Sequence, residues 1–307
     1  MKNLIIAVMV LVSTLLTSAN AAERLTATII GSGSPVYNEN RASASVLISL
    51  GSTRILLDMG NGAQANLARA GVDIRQLSGL FFTHHHLDHN EEFVPFLIRS
   101  LMGRHNFNIV GPPNTVKLTE TNLDLYADDI AYRLGKTKRS LADRQSAFTA
   151  RDIKGGESFT VGDIRISTIK VPHTAYAIAY RFDYQDQSIV VTGDLTYSKE
   201  LSKLANNADF MIIDSGGMIM KGGRGNKRTK KNANRVASAG KNKKRQRTRA
   251  HLNLAESSLI ARQASIKNLV YTHFSLGDID KEASLQEIAK NYSANVIFAE
   301  DLMVLNN

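Results

Sequence analysis

Phe81-Phe82-Thr83-His84-His85-His86-Leu87-Asp88-His89-Asn90 is the stretch whose reading decides the fold. Two large apolar residues run into Thr83, and five ionisable side chains then fall within six positions. Leu80, Phe81 and Phe82 close a short apolar run of the kind that forms a buried strand, so the His tract is a loop at that strand's carboxyl end. Four imidazoles and a carboxylate have little to pack against at neutral pH. A metal ion changes that, because neutral imidazole nitrogen and carboxylate oxygen are the ligands of zinc and its neighbours. His84 and His86 lie on the same side of an extended segment and can reach one ion, whereas His85 points the other way. Asp88 and His89 are adjacent, so they diverge and can serve a second ion. Two ions roughly 3.5–4 Å apart form a clamp that activates a water and stabilises a displaced oxygen.

Outside this tract the composition changes twice. Residues 1–21 carry Lys2, an apolar stretch from Leu4 to Leu16 and a small-x-small pattern at Ala19-Asn20-Ala21. This is the pattern of a signal peptide cut near Ala21. It predicts a mature chain over 22–307, exported to a periplasm or secreted, with no transmembrane span after cleavage. The apolar run falls short of the roughly 20 residues a bilayer span needs. The chain has no cysteine, which excludes disulfides, thiolate ligands and a cysteine nucleophile. From Lys221 to Arg249 there are 13 Lys or Arg and no acid, with almost nothing apolar between them. Such a stretch cannot build a core and reads as a disordered basic loop. It accounts for the whole basic balance: without Lys2 and these 13 residues, the formal charge of +10 becomes −4. Its functional reading is nonspecific, salt-sensitive polyanion contact through 221–249. With no aromatic residue, it lacks the stacking platforms of a single-strand reader.

Several further strands end in residues that carry chemistry. Arg54 to Leu57 runs into Asp58-Met59-Gly60-Asn61-Gly62, where Asp58 is either a cap for a helix over Ala63 to Ala70 or a brace for the His loop. A hairpin over 157–169 delivers Val171-Pro172-His173-Thr174. Ser188 to Val191 ends in Thr192-Gly193-Asp194, and Lys267 to Tyr271 ends in Thr272-His273-Phe274-Ser275. His251 precedes a helix whose start, Asn253 with Glu256 three residues on, has the form of a capping box. Glu91 to Met102 and Thr115 to Gly135 have helical spacing. The whole stretch 114–150 is charged and reads as a helical lid-like insertion.

His-x-His-x-Asp-His behind an apolar strand resembles the signature of the metallo-β-lactamase superfamily, and the resemblance runs from about residue 24 to the end. It is nearest to the branch of ribonuclease Z and the related arylsulfatases, through Asp58-x-Gly-x-Gly, His251 before its helix, and Leu269-Val270-Tyr271-Thr272-His273-Phe274. The resemblance implies an α/β fold, a four-layer αββα sandwich with metals at the edge of the two sheets. It implies that His84, His86 and His173 hold one divalent ion and that Asp88, His89 and His273 hold the other, with Asp194 between them. Asp58 then braces the metal loop. Of eight histidines, only His85 and His105 are left without a place in this scheme.

The implied activity is dinuclear hydrolysis of an anionic ester, a phosphodiester first, by attack of metal-bound hydroxide. His251 acts as general acid and is counted with Asp88 as catalytic. Zinc is the default ion, with manganese or iron as alternatives, since sites of nitrogen and oxygen donors discriminate poorly among them. Leu87 and Asn90 stand where ribonuclease Z has Gly and an apolar residue, so its metals carry over but its substrate does not. The alternatives are an arylsulfatase-like sulfate ester hydrolase, a lactonase, and a non-catalytic polyanion-binding metalloprotein. The sequence leaves the oligomeric state open, a homodimer included.

Overall fold

A computed structural model describes residues 23–103, 106–140, 142, 148–223 and 249–306. The expected signal segment 1–21, His105 and most of the basic stretch 221–249 lie outside these residues. Two mixed sheets of seven strands face one another. The first contains β1 (Thr26–Gly31), β2 (Ser45–Leu50), β3 (Thr53–Leu57), β4 (Gly79–Phe81), β5 (Phe107–Gly111), β6 (Phe148–Asp152) and β14 (Val304–Leu305), in the order β14-β1-β2-β3-β4-β5-β6. The second contains β7 (Ser158–Val161), β8 (Ile164–Val171), β9 (Ala177–Tyr184), β10 (Gln187–Val191), β11 (Phe210–Asp214), β12 (Asn268–Thr272) and β13 (Asn295–Phe298), in the order β13-β12-β11-β10-β9-β8-β7.

Alternation along β4 shows how the layers form. Phe81 enters the core between the sheets with Ile55, Leu57, Tyr180 and Phe182, while Leu80 and Phe82 turn outward to Phe93, Phe96 and Leu97. Successive strand side chains point to opposite faces, so an uninterrupted apolar run serves a sheet covered on both sides. The outer face of the first sheet carries α1 (Ala63–Arg69), α2 (Phe93–Met102), α3 (Thr115–Leu125) and α4 (Ala127–Gly135). The second sheet is covered by α5 (Lys199–Leu204), α6 (Leu254–Gln263) and α7 (Lys281–Ala289). This is the expected αββα sandwich. No helix among the described residues is long and apolar enough to cross a membrane.

The stretch 114–150 is placed by its apolar residues. Leu123 of α3 and Ile130 and Leu134 of α4 join the core on the outer face of the first sheet. Phe148–Ala150 run in β6, parallel to β5, rather than in a helical insertion. β6 is a sheet edge with a largely half-exposed, polar sequence, so it lacks the alternation that marks a strand.

Strands β3, β4, β5 and β6 are mutually parallel in the first sheet, and β10, β11, β12 and β13 in the second. The carboxyl ends of β3, β4, β8, β10, β11 and β12 deliver Asp58, the His tract, His173, Asp194, Asp214 and His273 to one edge of the sandwich. Ligand sites in open α/β sheets form at such ends, where loops leave the backbone ladder.

Candidate metal centre

Asp58 is the first fixed point of the site. It is buried, and its two oxygens accept from the Thr83 N–H (2.8 Å), from the Thr83 hydroxyl (2.7 Å) and from His89 Nδ1 (2.8 Å). Because a carboxylate only accepts, the neutral His89 ring keeps its proton on Nδ1 and presents its lone pair at Nε2. That Nε2 is buried and has no hydrogen-bond partner. A buried orphan acceptor is costly unless something fills it, and a cation does. Asp58 therefore braces the loop, as the Asp-x-Gly-x-Gly pattern implies. It does not cap α1; Glu92 does, accepting from the N–H groups of Gly62 and Gln64.

The remaining donors converge on the same space. His84 Nε2 and His173 Nε2 lie 3.0 and 3.1 Å from His86 Nδ1. His173 donates Nδ1–H to the Ala250 carbonyl at 2.8 Å, which leaves its Nε2 lone pair facing inward. His273 Nε2 is 3.1 Å from Asp88 Oδ2. Asp194 Oδ2 lies in the middle, 4.0 Å from the Nε2 atoms of His84 and His173, 3.7 Å from that of His89 and 3.5 Å from that of His273. Three overlapping donor groups result: His84, His86, His173 and Asp194 on one side, Asp88, His89 and His273 on the other, and Asp194, His251 and His273 toward the outside. Neutral nitrogens facing one another around carboxylate oxygens are a poor arrangement by themselves and a good one around divalent cations. The residues fit metal binding.

The backbone shows the same demands. Asp58 and His273 are non-glycine residues in the left-handed region (φ 58° and 61°), conformations that cluster at functional sites. Gly193 is also left-handed (φ 60°), and a Cβ there would meet the Thr83 Cβ at 2.6 Å. Only glycine lets the Asp194 turn come so close to the His loop.

Electrostatics follow from burial and proximity. Burial pushes His84 far below the usual imidazole range, and the neighbouring imidazoles His89 and His173 push the same way. His173 is lowered for the same first reason. Burial opposes charge on Asp194, but the imidazoles of His273 and His89 outweigh it and hold that carboxyl well below its ordinary value. Burial likewise opposes charge on Asp88, and the bond to His273 outweighs it. His89 is raised because the Asp58 and Asp194 carboxylates overcome its burial.

His251 stands at the outer side of the cluster, its side chain 39% exposed, with Nδ1 3.8 Å from Asp194 and 3.7 Å from Asp214. The facing Asp214 carboxylate raises its pKa against the opposing effect of burial, and Asp194 adds to the rise. Asp214 is the site residue that sequence reasoning missed. It ends β11 beside β10, and its oxygens accept from the N–H groups of Gly216 (2.8 Å) and Leu195 (3.1 Å). The usable signal was its place at a parallel strand's carboxyl end, one strand over from Asp194. A Cβ at Gly216 would lie 2.6 Å from that of His251, so the glycine makes room for the pair. His85 turns away from the donors, as the alternation predicts, and its Nε2 lies 2.9 Å from the Thr115 hydroxyl.

A family model described as a β-lactamase superfamily domain matches residues 53–274. The chain belongs to the metallo-β-lactamase superfamily. It is a metal-dependent hydrolase of that family. Ribonuclease Z of Mycobacterium avium (strain 104) is 30% identical over 192 residues, which cover 60% of this chain and 68% of that protein. Among solved structures, the metallo-β-lactamase fold protein YhfI of Bacillus subtilis matches with a TM-score of 0.69 at 18% identity, over 93% of this chain and all of that one. Human tRNase Z, short form, matches with a TM-score of 0.62 at 18% identity, over 91% of this chain and 98% of that one. At these identities the two structures speak for the fold alone.

Proposed function

We propose that this superfamily member is an exported phosphodiesterase with a dinuclear centre and His251 as its general acid. The observation that carries the reading is the convergence of His84, His86, His173, Asp88, His89 and His273 around Asp194, with His251 facing the same space from the outer side. The similarity to proteins named ribonuclease Z supports phosphorus as the centre attacked. Export and salt-sensitive polyanion contact rest on the composition of residues 1–21 and 221–249.

His84, His86 and His173 would hold one divalent ion and Asp88, His89 and His273 the other, with Asp194 reaching both. Zinc is the first choice for these donors, and manganese or iron suit them too. Bound ions would supply Lewis acidity and a water of lowered pKa. The chain's own residues do the rest. Asp58 and the Ala250 carbonyl fix the tautomers of His89 and His173, so that the free nitrogens face inward. Hydrolysis forms one P–O bond to water oxygen and breaks the P–O bond to the leaving alcohol. That alcohol departs with the bonding electron pair and takes a proton from His251, which the proton lost by the attacking water restores. Asp214 holds the imidazole in place for this transfer.

The test is turnover of bis(p-nitrophenyl) phosphate and p-nitrophenyl sulfate by the zinc- and manganese-loaded protein, with His251→Ala and Asp194→Ala alongside. Diester cleavage lost in Asp194→Ala and reduced in His251→Ala is expected. Sulfate cleavage alone would move the protein to the arylsulfatase reading. No turnover of either, with metal bound, would overturn the ester readings.

A further inference from the structure

Beside His251 the site opens into a cleft of about 450 Å³. Three backbone segments form its walls: 34–36, residues 215–220 beyond β11, and residues 273–279 beyond β12. They are stitched together. Ser34 N–H donates to the Phe274 carbonyl (3.2 Å), Asp280 N–H to that of Ile219 (2.7 Å) and Lys221 N–H to that of Asp278 (2.8 Å). The cleft is therefore formed in advance of any ligand. Its volume is that of a small-molecule site.

The lining is divided chemically. His251 and His273 are its only titratable side chains among the described residues, and no Lys, Arg, Asp or Glu takes part. Away from these two the large side chains of the wall are Val36, Met218, Met220, Phe274, Leu276 and Ile279, with Ser34, Ser215 and Ser275 between them. Val36 and Leu276 are 54% and 51% exposed, although large apolar side chains gain from burial. Apolar residues grouped at the mouth of a reactive centre mark a binding surface. The two methionines let such a surface adapt to irregular shapes.

We infer that this cleft seats the leaving group of the substrate and that this group is an apolar alcohol, aryl or alkyl. The inference rests on the phosphodiesterase reading and names its substrate class. His251 faces both the donor cluster and the cleft, so the oxygen it protonates belongs to whatever the cleft holds. Phosphate contacts by Lys and Arg dominate nucleic-acid affinity, and among the described residues the wall of this cleft holds neither; Arg41, Lys221 and Lys281 line the adjoining pocket beyond Phe274 and Ile279 instead. An aryl or alkyl group needs only the apolar wall. In the step itself, phosphorus gains an oxygen from water and the phenol or alkanol leaves with the proton of His251.

The test uses the metal-loaded protein and methyl phosphodiesters of phenol, 4-methylphenol, 4-ethylphenol and 4-butylphenol. Para-alkyl groups lengthen the apolar contact with little change in leaving-group acidity. Phenol release is followed by chromatography, and binding of the free phenols by calorimetry gives a readout independent of turnover. We expect kcat/KM and phenol affinity to rise together, by up to about fourfold per buried methylene, until the cleft is filled. Val36→Asp and Leu276→Asp, both at exposed positions, should flatten that dependence. A flat series with diesters still cleaved would overturn the inference and leave the phosphodiesterase reading standing. Faster cleavage of a short RNA than of every aryl ester would do the same. Failure to cleave any diester would overturn both.

Discussion

Asp58→Asn replaces one oxygen with an NH₂ and removes the charge at the brace of the metal loop. In the native site both oxygens accept, from Thr83 N, Thr83 Oγ1 and His89 Nδ1. The remaining amide oxygen keeps the Thr83 N–H, while the new NH₂ faces the Thr83 hydroxyl and His89 Nδ1. It donates to both, which moves the His89 proton to Nε2, the atom that points into the donor cluster. Loss of that lone pair should weaken metal binding by about 10- to 100-fold, the usual effect of removing the partner that orients a ligand imidazole. That is about 1.4–2.7 kcal/mol. Three charge-assisted bonds become neutral ones, each weaker by about 1 kcal/mol, but a neutral amide is also less costly to bury. The metal-free protein should therefore lose only about 1–3 kcal/mol of stability. Zinc affinity is measured by competition with a chromophoric chelator, and the His89 tautomer by nitrogen-15 NMR of the ring. An affinity within about twofold of the native protein, at unchanged fold, would refute the argument. So would a proton still on Nδ1.

Three other perturbations follow from the same geometry. His251→Ala should lower kcat by about 10²- to 10⁴-fold on esters of poor leaving groups and much less on nitrophenyl esters, with metal content unchanged; equal losses on both would exclude a general acid. Gly193→Ala puts a Cβ 2.6 Å from that of Thr83 in a left-handed backbone, so urea unfolding should show a loss of more than about 1 kcal/mol. Burial raises the pKa of Glu256, but the Arg249 side chain and the Asn253 N–H outweigh it and leave the carboxyl below its ordinary 4.5. The unfolded chain then binds the proton more readily, so this stabilisation is complete above about 4.5 and is lost as pH falls through the folded value. Glu256→Gln should remove that part of the acid dependence of unfolding.

Much of the site was readable because its donors sit directly behind apolar runs. Phe81 and Phe82 announce β4 and place the His tract at its carboxyl end, and the runs before His173, Asp194 and His273 do the same. The helix starting at Leu254 was visible from Asn253 and Glu256, whose reciprocal bonds are present at 2.9 and 3.1 Å. Residues with local signals of their own are the ones a sequence exposes. β6 escaped because an exposed edge strand needs no alternating pattern, and the short helix over Lys199–Leu204 because six residues carry little periodicity. Asp214 escaped because an Asp after a strand has many ordinary uses. Its role depends on His251, 37 positions away in sequence, standing 3.7 Å from its carboxylate.

The sequence by itself determined the chemistry available: nitrogen and oxygen donors without sulfur, each on a loop that a strand must deliver, and a basic stretch separate from a mildly acidic body. Tertiary structure alone decided what these groups do together. Parallel pairing of β10, β11 and β12 sets Asp194, Asp214 and His273 side by side, and packing of the two sheets brings them to the His tract of β4. The physical reason is that donor identity is a local property, whereas tautomer, burial and the apolar wall beside His251 arise only where distant segments meet.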